Sequence, residues 1–305
     1  RVDGSQAATV AAGNSLGISP IDYFGSEAQR RKYLPDLCRG KTLMGFALTE
    51  PNAGSDAGAT RTTAVREGDS WIINGRKTLT TNANTPMTKG SIVQAVTGKR
   101  PNGKPDYTCF IVDNDTPGFT RHTLKRKLMW RGSNTAELFL DNCRVSQEAV
   151  LGKPGDGFRQ MLATLDGGRL SIGAMGLGCA QGAYEAALRY SKERIQFNRP
   201  ICKQQSIAFK LADMDLKIEL ARNMLYKACW LAENKRPFGK EAAMSKLYTS
   251  EIAREVADEA VQIHGGYGLF KDYDVERFYR DQRLLQIGEG TSEILRLVIS
   301  RAIGC

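Results

Sequence analysis

Apolar positions along the chain fall into three textures. Residues 27–38, Glu-Ala-Gln-Arg-Arg-Lys-Tyr-Leu-Pro-Asp-Leu-Cys, carry good helix formers behind Ser26, a candidate N-cap, and Pro35 marks the predicted end of that helix. The first 40 residues thus read as helical but short. From about Leu43 to Val150 the pattern changes to brief β-rich runs, such as 70–75, 91–96 and 107–112, punctuated by Gly, Asn, Asp and Pro. Short strands at this spacing, with no helix between them, predict an antiparallel sandwich or barrel. After Gly152-Lys153-Pro154-Gly155-Asp156-Gly157 the period changes again. Segments 158–195, 204–233, 240–264 and 292–303 carry apolar residues three and four apart, as in Leu211, Met214, Leu216, Ile218, Leu220 and Met224, and predict a helical bundle. The chain reads as α+β, with a helical segment over 1–42, a middle β domain over 43–153 and a C-terminal helical domain over 154–305.

Composition narrows the class without choosing a function. The 305 residues, 41% hydrophobic and 25% charged, suffice for a buried core, and no apolar run approaches the ~18 residues of a membrane span. Forty-three Lys and Arg against 33 Asp and Glu give a net charge of +10, which suits nucleic acid, an anionic surface or a phosphate-bearing cofactor alike. Seven cysteines at irregular spacing, with no Cys-x-x-Cys pair and two His, predict buried reduced thiols and no metal site. The chain opens at Arg1 with neither Met nor leader, so the expectation is that its true start is missing or has been removed.

Gly176-Leu177-Gly178-Cys179-Ala180-Gln181-Gly182 imitates a dinucleotide fingerprint, but no strand precedes it and the third Gly falls one position late. Small residues allowing close helix packing account for it better. Four other segments could carry chemistry. In Gly288-Glu289-Gly290-Thr291-Ser292 a carboxylate stands between two glycines, with Thr291 or Ser292 able to cap the next helix. Glu289 is then either a surface acid beside a capped helix or a base, and as a base its burial must outweigh the helix dipole. Residues 47–58, Ala-Leu-Thr-Glu-Pro-Asn-Ala-Gly-Ser-Asp-Ala-Gly, form either a phosphate- or ring-binding loop or a turn cluster with a turn at Pro51-Asn52. His264, before Gly265-Gly266, is read as a helix-terminal cation or as a base or ligand. Arg194, Phe197 and Arg199 could hold a phosphate and a ring, or simply solvate a helix end.

Taken together, these segments resemble, in order and separation, the acyl-CoA dehydrogenase family, over essentially all 305 residues. The blocks ALTEPNAGSDAG, LDGGRLSIG, SKERIQFNRPI, FKLADM, QIHGGYG and YRDQRLLQIGEGTSEI are most similar to short-chain, butyryl-CoA-type members. The resemblance implies an N-terminal helical domain, a middle β domain and a C-terminal four-helix bundle. It also implies FAD-dependent α,β-dehydrogenation of an acyl-CoA to a trans-2-enoyl-CoA. In that scheme Glu289 is the base that removes the α proton, and the β hydrogen leaves as hydride to the flavin. By the same matching, Phe46, Leu48, Thr49, Gly54, Ser55, Leu79, Thr80 and Thr81 line the flavin. Arg194, Phe197, Gln205, Gln262, Gly265 and Gly266 hold the pyrophosphate and adenine, largely across a subunit boundary, and Thr291 and Glu293 complete the cofactor site. Ser55, Asp166, Arg169 and Gly290 border the substrate. The implied partners are an acyl-CoA, an electron-transferring flavoprotein and further copies of the chain in a homotetramer, in bacterial cytoplasm or mitochondrial matrix and away from membranes.

Three features depart from that pattern. Lys77-Thr78-Leu79-Thr80-Thr81-Asn82 places Leu79 where many relatives stack an aromatic residue on the flavin, and Gly288 precedes the base where several mammalian relatives carry Tyr. Roughly 80 residues of helix that the family carries ahead of Arg1 are absent, so residues 1–42 match the end of its N-terminal domain. Three alternatives accompany the main reading: enoyl-CoA reduction in the reverse direction, a nucleic-acid-binding relative using the positive charge, and a non-catalytic protein that holds acyl-CoA or flavin. The spread of basic residues along the chain disfavours the second.

Overall fold

A computed structural model describes residues 1–305 as two compact units, one of residues 9–127 and 132–168, the other of residues 1–8, 128–131 and 169–305.

The first unit is built on eight strands: β1 (Leu43–Ala47), β2 (Thr63–Glu67), β3 (Ser70–Thr81), β4 (Thr88–Lys99), β5 (Pro105–Asp113), β6 (Phe119–Thr123), β7 (Thr135–Ser146) and β8 (Val150–Leu151). Their order is β6-β7-β3-β2-β4-β5-β8, with β1 paired to β4. Most pairings are antiparallel, including Ile73 opposite Cys143 and Val93 opposite Phe110. The β1–β4 pairing is parallel, with Phe46 opposite Ile92, as is the single β2–β4 contact. Alternation explains the double burial of the central strands. Val93, Ala95, Phe110 and Val112 face one core, to which every strand contributes, so the sheet wraps around its own interior. Ile92, Cys109 and Ile111 face a second core shared with Ile21, Tyr33, Leu37 and Met161.

Ahead of the strands run helices α1 (Gly4–Ala12), α2 (Ser19–Phe24) and α3 (Glu27–Cys38), the first two joined by a wide turn over Gly13–Ile18, and it is α2 and α3 that pack into the second core. Ser26 caps α3 as its sequence predicts, in a reciprocal box with Gln29. Pro35, however, does not end the helix, which runs on to Cys38. Leu37, buried beside Tyr33, supplies the reason, because apolar burial of one further turn offsets a single missing backbone bond.

The second unit holds most of α4 (Gly157–Glu193), together with α5 (Gln205–Glu233), α6 (Gly239–His264), α7 (Val275–Asp281) and α8 (Ser292–Ala302). Of these, α7 and the short turns Gly265–Leu269 and Gln282–Gln286 lie outside the predicted segments. Small side chains let α4 approach α6 closely: a Cβ added at Gly176 would stand 3.0 Å from the Thr249 backbone. The dinucleotide-like glycines therefore serve packing. Along α5, Leu211, Met214 and Ile218 enter the core, whereas Leu216 and Leu220 are exposed. Positions 216 and 220 fall between the buried positions 214, 218 and 221, so they face away from it. Cys109, Cys143 and Cys179 are buried thiols as expected, but Cys38, Cys229 and Cys305 are exposed. No helix is long and apolar enough to cross a membrane.

Candidate active site

In the helical unit the turn between Gln286 and α8 places Glu289. Two successive residues take the left-handed backbone, Glu289 at φ +55° and Gly290 at φ +102°. Glycine tolerates this, while a glutamate there is strained by about 1–3 kcal/mol unless its surroundings impose the conformation. Thr291 caps α8 on the far side, its hydroxyl accepting from the Ile294 N–H at 3.3 Å. On the near side the ammonium of Lys246, from α6, donates to the Gly290 carbonyl at 2.5 Å.

Glu289 is half-buried as a residue, but its Oε2 is inaccessible and accepts no hydrogen bond. Burial pushes this carboxyl up to about 7, against the pull of Lys246 and Arg169. Desolvation thus outweighs the nearby positive charge of Lys246 and Arg169. Burial also lowers Lys246 to about 8, opposed by attraction to Glu289. Arg169 is itself buried and acts electrostatically on both groups. Exposed Glu293, by contrast, is held below the usual carboxylate range by its own backbone N–H and Thr291.

Lys246 was not singled out in the sequence, although a signal exists. Ala242, Ala243, Lys246, Thr249, Ser250 and Ala253 follow one another at helical spacing, and all are fully buried. A lysine inside the apolar and small-residue stripe of an amphipathic helix is a buried-charge candidate.

The β unit organises the 47–58 loop around a second buried charge. Glu50 and Ala53 close a four-residue turn through Pro51-Asn52 by two backbone bonds, as the sequence predicts. The Glu50 carboxylate accepts from Lys77 Nζ at 2.8 Å, from Arg61 N at 2.7 Å and from Thr62 N at 3.1 Å. Lys77, fully buried on β3, also donates to the Leu48 carbonyl at 3.2 Å. Burial alone would raise Glu50, but Lys77 and these donors bring it below the ordinary value. A backbone bond from Thr78 N to Thr49 O then ties the loop to the strand at 2.9 Å.

Just beyond, the strand bulges between Lys77 and Thr80, and Leu79, at φ +56°, stands 63% exposed. Thr80 is buried and Thr81 half-buried. Phe46 and Leu48 pack partly against the second core, while Gly54 and Ser55 are exposed. Loop and strand are thus brought together; Asp166 lies half-buried on α4, three residues before Arg169.

A groove of about 460 Å³ in the helical unit gathers Tyr190, Arg194, His264, Gly265, Gly266 and Tyr267. The Arg194 guanidinium lies 5.7 Å from the Tyr267 ring centre. Phe197 and Asn198, both at positive φ, form the tip of a hairpin between β9 (Ile195–Gln196) and β10 (Arg199–Pro200), leaving Phe197 89% exposed. Gln205 and Gln262 are exposed residues on α5 and α6 that do not line the groove. His264 corrects the helix-terminal-cation reading. It is buried, donates from Nδ1 to the Ala260 carbonyl at 2.8 Å and stacks on Tyr190 with ring centres 4.2 Å apart. Burial lowers it from its ordinary value, so the ring is a neutral wall of the groove.

These residues fit a flavin dinucleotide. Gly265 and Gly266 leave open backbone where an added Cβ would meet nothing within 4 Å, and Arg194 beside them suits a phosphate. An exposed apolar Leu79 among threonines suits the edge of a planar ring. Comparison with known proteins gives the class, a flavin-dependent oxidoreductase. Residues 1–41, 45–143 and 155–304 match the N-terminal, middle and C-terminal domains of acyl-CoA dehydrogenase. A probable acyl-CoA dehydrogenase of Bacillus subtilis is 52% identical over 300 residues, 98% of this chain and 78% of that protein. A subunit of the caffeyl-CoA reductase–Etf complex of Acetobacterium woodii is 43% identical over 98% of this chain and 78% of its own length. Butyryl-CoA dehydrogenase of Megasphaera elsdenii superposes with a TM-score of 0.95 at 43% identity, covering 99% of this chain and 78% of that one. The chain belongs to the acyl-CoA dehydrogenase family, whose cofactor is FAD.

Proposed function

We propose that this protein dehydrogenates short-chain acyl-CoA thioesters, with Glu289 as the base that removes the α proton. The observation that carries the reading is the Glu289 carboxylate, its Oε2 buried and free of hydrogen bonds, with its pKa raised to about 7. A base so placed is ionised for about half its time at neutral pH and is more basic than a solvated carboxylate, as proton removal from carbon requires. Glu289 takes the α proton onto its carboxylate. Arg169 and Lys246 keep the ionised form accessible before that step and hold positive charge near the site after it. FAD, when bound, supplies the acceptor for the β hydrogen and its two electrons.

Phe46, Leu48, Thr49, Gly54, Ser55, Leu79, Thr80 and Thr81 would hold the flavin ring. Arg194, Phe197, Gln205, Gln262, Gly265 and Gly266 would hold the dinucleotide, with Thr291 and Glu293 at its edge, and Ser55, Asp166, Arg169 and Gly290 would border the acyl-CoA. Phe197 supports a dinucleotide site shared between subunits of a homotetramer, because so exposed an aromatic residue gains from cover by another chain. The Megasphaera enzyme's butyryl substrate supports the short-chain assignment, and the Acetobacterium relative's place in an Etf complex supports an electron-transferring flavoprotein as partner. That relative's reductase name also favours a second reading, reduction of an enoyl-CoA by the same residues in reverse.

The test is anaerobic addition of butyryl-CoA, octanoyl-CoA and isobutyryl-CoA to the flavin-loaded protein. Bleaching that is fastest with butyryl-CoA, and at least ~10³-fold slower in Glu289→Gln, is expected. Equal bleaching by the variant would overturn the base assignment, and preference for octanoyl-CoA the short-chain one.

A further inference from the structure

We propose that Lys246 is a positioning residue for the base: from α6 it grips the turn that carries Glu289 and holds positive charge behind the carboxylate. The proposal rests on Glu289 being the base. Three observations carry it. Lys246 is fully buried in the third turn of a 26-residue helix, where an ammonium costs several kcal/mol to desolvate. Its Nζ forms no ion pair with any carboxylate, which would be the ordinary way to offset that cost, and its one hydrogen bond goes to the carbonyl of Gly290. That carbonyl belongs to Gly290, the residue after left-handed Glu289, so the bond fastens the turn directly beside its strained residue.

The surroundings say what the charge does. Lys246 faces Glu289 from α6, Arg169 from α4 and Glu293 from α8, and the same Lys246 and Arg169 act on Glu289. A second tie joins the helices nearby, since Arg296 of α8 pairs with Glu251 of α6 at 2.7 Å. Structural fastening is thus available without burying a charge, and a buried lysine that makes no ion pair with the carboxylate yet acts on its charge has a different consequence. A direct ion pair would pull the carboxylate far down and disable it as a base. A cation set back behind the backbone carbonyl lowers it part of the way and leaves the carboxylate oxygens available to substrate.

The experiment compares wild type with Lys246→Met, Lys246→Gln and Lys246→Arg. The first readout is the Glu289 carboxyl titration, taken as the infrared difference between each protein and its own Glu289→Gln derivative, which needs neither flavin nor substrate. The second is the acidic limb of kcat/KM against pH for butyryl-CoA in the flavin-loaded enzyme. Loss of an opposite charge that acts on a carboxyl raises it, by about 1–3 pH units for a close partner. Lys246→Met and Lys246→Gln should therefore move both the titration and the limb upward by about one unit or more, while Lys246→Arg stays within ~0.3 of wild type. Gln can still donate to the Gly290 carbonyl, so it separates charge from fastening and serves if the Met variant fails to fold. Unmoved titrations in Met and Gln, with only a pH-independent fall in rate, would overturn the proposal and leave Lys246 as a structural tie. Retained turnover in Glu289→Gln would overturn the base reading and this proposal with it, whereas its loss with unmoved Lys246 titrations would overturn this proposal alone.

Discussion

Replacing Glu289 by Gln should make the protein more stable at alkaline pH while destroying its chemistry. The carboxyl rises from 4.5 to about 7 on folding because burial disfavours its charged form. Between those values the folded state binds the proton that the unfolded state has released. This contribution to stability is complete below about 4.5 and is lost as pH rises through about 7. At about 1.4 kcal/mol per pH unit, ionising Glu289 in the fold costs about 3 kcal/mol by pH 8. Gln carries the neutral shape at every pH. The difference in unfolding free energy, variant minus wild type, should therefore grow by about 3 kcal/mol between pH 4.5 and pH 8, whatever constant offset the amide introduces. Urea unfolding of both proteins across that range measures it, with m-values compared to verify that the same surface is exposed. Two parallel stability curves, differing by less than ~1 kcal/mol in their change with pH, would refute a strained carboxylate. The expected outcome sets stability against function at one residue.

Two further outcomes follow from the other sites. Breaking the Lys77–Glu50 pair from either side should destabilise the β unit by about 3–5 kcal/mol, with Glu50→Gln the worse substitution. Glu50→Gln leaves the buried Lys77 ammonium with neutral acceptors and no counter-charge, whereas removing the ammonium leaves the Glu50 carboxylate two backbone donors. The double substitution Glu50→Gln/Lys77→Met should cost less than the sum, and additive losses in urea unfolding would contradict the pairing. In the helical unit, Arg194→Ala should weaken FAD retention at least ~10-fold with little change in unfolding free energy, measured by flavin release on dilution. Unchanged retention would remove Arg194 from the dinucleotide site.

Much of the fold is written in periodicity, and the exceptions have identifiable causes. The long helices α4, α5, α6 and α8 begin and end close to where three- and four-residue spacing starts and stops, because capping and glycine termination are local. Short α7 has too few turns to display a period, and Pro35 misled because the burial of Leu37 is a tertiary effect that no local rule contains. Glycine-flanked Glu289 is visible as a candidate from its neighbours, but its raised pKa comes from tertiary burial, moderated by Arg169 and Lys246, 120 and 43 residues away in sequence. His264 shows the opposite failure. Its place before two glycines predicts a solvated cation, yet the Tyr190 and Tyr273 rings enclose it. Separation along the chain thus hides electrostatic partners more completely than it hides elements.

The central claim is that Glu289 takes an α proton from an acyl-CoA, and exchange of that proton with solvent tests it most directly. Butyryl-CoA incubated in D2O with the flavin-loaded protein, in the absence of an electron acceptor, is followed by proton NMR at the α carbon. The account predicts enzyme-dependent loss of the α signal, rising with pH through about 7, and loss of that exchange by at least ~10³-fold in Glu289→Gln. Exchange that persists in the variant, or that shows no inflection near neutrality in the wild type, would contradict it.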